Sequence, residues 1–142
     1  LSSAASDVYK RQITSNPDYE ITGIYLTGYA SPEGSYAQNE VLSRDRTRAL
    51  RDYLRCRYSF PANLYHVDWR GEDWIGLKRL ILLYGMPNEE QVLSIMDNYN
   101  VFEGREKRLM DLNNGKPYRY MMKHFFPELR RVDYKITYKI IK

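Results

Sequence analysis

Alternation of apolar and polar residues is clearest at the end of the chain, where Val132, Tyr134, Ile136, Tyr138 and Ile140 interleave with Asp133, Lys135, Thr137 and Lys139. That period of two gives a strand one buried and one wet face. Tyr65, Val67 and Trp69 alternate in the same way with His66, Asp68 and Arg70, which predicts a strand over about 63–70. Ile21, Ile24, Tyr25 and Leu26 mark another over about 20–29. Between these two, Leu42, Arg46, Ala49, Leu50, Tyr53 and Leu54 follow helical spacing and predict a long helix over about 36–58. On that spacing Arg46 points with the apolar stripe.

Further helices are expected beyond residue 72. Trp74, Leu77, Ile81 and Tyr84 form one stripe of a helix near 73–84, ended by Gly85-Met86-Pro87. Asn88 stands where a cap would open a helix to about 98, with Glu89 and Glu90 in its first turn. Segments 104–112 and 117–126 flank the Asn113-Asn114-Gly115 turn, and Pro117 suits a helix start. Strands alternating with a helix argue for a crossover unit. The expected fold is α+β, a two-layer βαβ-containing sandwich with a mixed sheet, helices on one face and an extra helical block at about 85–127. That block either covers the sheet or presents a partner surface through Tyr99, Phe102, Tyr118, Tyr120, Phe125 and Phe126; burial is the commoner fate of aromatics.

Composition narrows the functional classes. At 142 residues and 43% hydrophobic the chain suits one domain, and no apolar run approaches the about 18–20 residues needed to cross a bilayer. The net charge is +4. Arg44, Arg46, Arg48, Arg51, Arg55 and Arg57 crowd one helix, but Asp45 and Asp52 interleave with them, so this reads as a solvated face and no nucleic acid partner is expected. Cys56 is the single cysteine, which rules out an internal disulfide and suits a small packing residue. His66 and His124 have no second ligand at metal spacing, so neither a metal nor a cofactor is expected. No phosphate-binding loop or nucleophile–base pair occurs. Glu33, Glu72, Asp73 and His66 are the conceivable acid–base groups, but no spacing fixes two carboxylates across a scissile bond, and a non-catalytic role is expected.

The richest chemistry lies between Gly28 and Arg46. A guanidinium on an apolar stripe is costly unless a carboxylate or phosphate meets its planar fork. The partner is either an internal carboxylate or a bound anion. Ser35-Tyr36-Ala37-Gln38 reads as a capping box with Ser35 at the N-cap, which sets Asn39 on the same face as Arg46. Asn39 either donates and accepts beside a ligand or ties the helix start to the preceding strand. The helix start adds unpaired N–H groups and a positive dipole end. Glu33, on the Pro32-Glu33-Gly34 turn, either faces that space or points into water.

Taken in order, Gly28, Asn39, Leu42-Ser43, Arg46, Leu50 and Leu54, then Gly71-Glu72 and Arg130-Arg131-Val132-Asp133, resemble the OmpA-like peptidoglycan-associated domain. The resemblance covers about residues 18–74 and 128–142 and omits the middle. Its Gly-His-Thr-Asp motif is Gly28-Tyr29-Ala30-Ser31 here, and Thr47 stands where alanine is usual. The family aspartate, which would receive the ammonium of a diaminopimelate residue, therefore falls on Ser31. The Ala-Ser-Pro-Glu-Gly turn looks like those of Bacteroidota envelope proteins.

The resemblance implies that Arg46 holds a diaminopimelate carboxylate. Asn39 and the N–H groups after Gly34 would orient it, and Glu33 or Ser31 would receive the ammonium. The implied role is to tether an outer-membrane assembly to peptidoglycan at the periplasmic face of the outer membrane. The other role it leaves open is a structural module that has lost wall binding, with the helical block meeting envelope proteins. The family's first strand would precede this stretch, leaving three strands and an open edge. Residues 1–12 read like a translated library-adapter sequence and are set aside as non-native, with residues 13–142 as the domain; any leader, barrel or lipid anchor giving membrane association would lie upstream.

Overall fold

The computed structural model describes residues 16–141, so the stretch set aside at 1–12 lies outside the described residues. At its centre runs β1 (Tyr19–Ala30), with β2 (Tyr65–Glu72) parallel on one side and β3 (Arg131–Ile140) antiparallel on the other. The crossover from β1 to β2 is α1 (Tyr36–Arg57), which lies on one face of this mixed sheet. The fold is α+β, as the periodicities predict.

The core between the layers consists of Ile24, Leu26, Leu54 and Val132, backed by Leu50, Tyr58, Phe60 and Tyr134 among others. A register shift between Ile21 and Gly23 skips Thr22. Such a bulge lets Ile21 share the inner face with Ile24. On β3 the alternation is as expected, but burial fades along the strand: Val132 is buried, Tyr134 and Ile136 are half-buried, and Tyr138 and Ile140 are exposed. The opposite sheet face is open, and there the rings of Tyr25 and His66 stack at 4.6 Å.

After β2 come α2 (Trp74–Tyr84), α3 (Glu89–Asn98), α4 (Arg105–Asp111), α5 (Lys116–His124) and the single turn α6 (Phe126–Leu129). These helices bury a second core of their own, around Leu77, Ile81, Val92, Leu109, Met121 and Phe126. The block therefore does not cover the open sheet face. Of its aromatics, Tyr118, Phe125 and Phe126 are buried, Tyr99 and Tyr120 are half-buried, and Phe102 is exposed against the ring of Tyr36. Two local expectations change. Tyr84 leaves the α2 stripe and is exposed. Asn88 does precede α3, but with φ at 57° its side chain donates to Gln91 instead of capping a backbone N–H.

Candidate ligand site at the turn between β1 and α1

The turn is held from below by an unusually close contact between α1 and β1. A Cβ built on Gly28 would lie 1.9 Å from Thr47 Oγ1 and 2.5 Å from the Ser43 carbonyl oxygen, so only glycine fits there. Asn39, Ser43 and Thr47 line the buried face of the helix, with Leu54 completing it near its end. Buried hydroxyls need partners, and each has one. Thr47 Oγ1 donates to the Ser43 carbonyl at 2.6 Å. Ser43 Oγ donates to the Glu40 carbonyl and accepts from the Gly71 N–H.

That seam corrects the placement of Arg46. The helix turns its small polar residues to the sheet, while Leu42 and Arg46 are exposed. Arg48 lies 5.4 Å from the Trp69 ring, so its flank of α1 faces β2. Arg46, two residues earlier, is about 200° away round the helix and so points away from the β2 flank. No ion pair or hydrogen bond of Arg46 occurs among the described residues.

Ser35 caps α1, its hydroxyl accepting from the Gln38 N–H at 3.3 Å, as the capping pattern predicts. Asn39 is 5% exposed and spends both amide hydrogens inside the protein. One bonds the Glu33 carbonyl at 2.9 Å and the other Glu72 Oε2 at 2.7 Å. Asn39 thus ties the helix start to the turn and to the end of β2. Glu72 also accepts from Trp74 Nε1 at 3.0 Å. Burial raises the Glu72 pKa above the usual carboxylate range, Glu106 adds to that rise, and the Asn39 and Trp74 bonds and Arg105 oppose it.

Ser31 is buried and Glu33 half-buried, and both meet Arg130. Its Nη1 donates to Ser31 Oγ at 3.3 Å and to Glu33 Oε1 at 3.0 Å. Gly34, at φ +83°, donates its N–H to Glu106 Oε1 at 3.1 Å. The same oxygen accepts from the Tyr118 hydroxyl at 2.8 Å. Burial raises the Tyr118 pKa well above the usual phenol range, and the Glu106 bond and charge reinforce it. Glu33, Gly34, Glu106, Tyr118, Arg119 and Met122 line an open groove of about 770 Å³ beside the turn.

Ser31, Glu33, Gly34 and Asn39 therefore gather at one turn, and Arg46 stands on the helix flank leading away from it. Arg130, Glu106, Glu72 and Tyr118 belong to the same network and were missed as site residues. The Arg130-Arg131 and Gly71-Glu72 pairs carried a signal through the family pattern. Glu106 and Tyr118 lie in the block outside that pattern and gave none. Among the described residues, no helix is long and apolar enough to cross a membrane.

No protein-family model matches the chain. Over 50 residues it is 41% identical to Outer membrane protein 41 of Porphyromonas gingivalis (strain ATCC BAA-308 / W83). That stretch is 35% of this chain and only 13% of the relative, so the likeness to this Bacteroidota outer-membrane protein is partial.

Proposed function

We propose that this domain serves the cell envelope by binding the stem peptide of peptidoglycan, without catalysis, and so anchors an outer-membrane protein or assembly to the wall at the periplasmic face. The observation that carries the reading is Arg46, an exposed guanidinium with no partner among the described residues, on the helix that leads out of the Ser31–Gly34 turn. Unpaired arginine offers a planar fork suited to a carboxylate. Glu33 and Ser31 supply the oxygens for an ammonium, and the N–H groups of the turn lie at the helix start where an anion is favoured. Asn39 acts through the turn, bracing it against Glu72. The partial likeness to an outer-membrane protein supports the compartment.

The test is calorimetric titration with a diaminopimelate-containing muropeptide, wild type beside Arg46→Ala. Saturable binding lost in the variant supports the role. A folded wild type that binds nothing removes it.

A second reading is a structural envelope module whose wall-binding site has lapsed. The specific observation in its favour is that Arg130 and Glu106 already occupy Glu33 and the Gly34 N–H.

A further inference from the structure

Two residues outside the turn bring it opposite charges. Glu106, at the start of α4, sets a carboxylate on the Gly34 N–H at 3.1 Å. Arg130, just before β3, sets a guanidinium on Glu33 Oε1 at 3.0 Å and Ser31 Oγ at 3.3 Å. The free end of an amino acid carries the same two charges, and the groups at the turn that would receive them are the ones already taken.

We propose that the chain caps its own turn, Glu106 occupying the place of a ligand carboxylate and Arg130 that of a ligand ammonium, so that a zwitterionic amino-acid end binds by displacing both. This rests on the stem-peptide reading above. It turns the internal contacts of the turn from a sign of a lapsed site into a gate on a working one.

The arrangement suits displacement. The side chains of Arg130 and Glu33 are 36% and 39% exposed, and exposed ion pairs are weak and screened by salt. Glu106 also has a holding point when it leaves Gly34, because the Tyr118 hydroxyl bonds the same oxygen from the wall of an open groove. Arg130 swinging away would free Glu33 for the ammonium.

The experiment is titration of wild type, Arg130→Gln and Glu106→Ala/Arg130→Gln with a diaminopimelate-containing tripeptide, each with and without Arg46→Ala, and with folding checked by circular dichroism. The expected result is binding tightened about fivefold in the double variant, the upper range for an exposed pair, with Arg130→Gln alone giving part of the gain and high salt narrowing the difference. A folded double variant that binds no tighter than wild type overturns the gate; if Glu106→Ala unfolds the protein, Arg130→Gln alone decides. Wild-type binding that needs Arg46 but is unchanged in the gate variants sinks the gate and keeps the role of Arg46. Tightened binding indifferent to Arg46→Ala sinks that role and keeps the gate, and no binding by any folded variant ends both.

Discussion

Arg131 Nη1 lies 2.6 Å from Asp73 Oδ2, and this contact clasps the start of β3 to the start of α2. Asp73 is the buried member, 7% exposed at its side chain, and its other oxygen caps α2 by accepting from the Gly76 N–H at 2.9 Å. Arg131 in turn reaches Asp133 and lies over the Tyr29 ring at 4.2 Å. One carboxylate thus joins the sheet layer to the helical block.

Removing that carboxylate deletes a helix cap and a charged hydrogen bond together. Asp73→Ala is expected to cost about 3 kcal/mol, summing a typical cap with a partly buried ionic bond. Asp73→Asn, which keeps an acceptor for Gly76, should lose about half as much. Urea unfolding of the three proteins measures both values.

Gly28→Ala puts a methyl group into the seam between β1 and α1, where Thr47 Oγ1 and the Ser43 carbonyl leave no room. A loss of about 3 kcal/mol is expected, the upper range for overpacking. Adding Thr47→Ala removes one of the two clashes and should restore part of the stability. The double-mutant cycle would then show coupling between the two sites.

Glu72 gives stability a pH dependence of known sign. Its pKa is raised in the folded protein, chiefly by burial. The folded state therefore holds this proton more tightly than the unfolded chain. The contribution is present at low pH and is lost as the pH rises through the raised value. Wild type should lose stability relative to Glu72→Gln as the pH rises past the ordinary glutamate value of about 4.3, levelling once the pH has passed the raised one. Denaturant midpoints collected across the range test the sign, and a difference that grows the other way refutes it.

Arg46→Ala should leave folding untouched, within about 0.5 kcal/mol, since an exposed side chain without a partner has little to lose. Thermal unfolding of the variant checks this. A clear loss of stability would mean that Arg46 serves the fold.

The elements were readable because each long one keeps its period. The strand expected over 63–70 is Tyr65–Glu72, and the helix expected over 36–58 is Tyr36–Arg57. The facing of α1 departs from its apolar stripe, since Leu42 and Tyr53 are exposed while Asn39, Ser43 and Thr47 are buried. Gly28 and Gly71 bring the strand backbones close to the helix, Gly71 against Glu40, and small residues at Asn39, Ser43 and Thr47 then fit where leucine cannot. Their spacing of four, opposite strand glycines, was the available signal. The pairing of Arg130 with Ser31 joins residues 99 apart in sequence. No local pattern encodes a contact of that kind.

The seam at Gly28 also fixes a height. With helix hydroxyls resting on strand backbone, α1 can neither sink towards the sheet nor rise from it without breaking those contacts. The loop carrying Ser31, Glu33 and Gly34 spans from the end of that strand to the start of that helix, so the gap it bridges is set below it. A larger side chain at position 43 or 47 would lift one pier of the span and widen the loop with none of its own residues changed. The width of that turn is thereby exposed to drift in the packing beneath it, at positions that lie outside the turn.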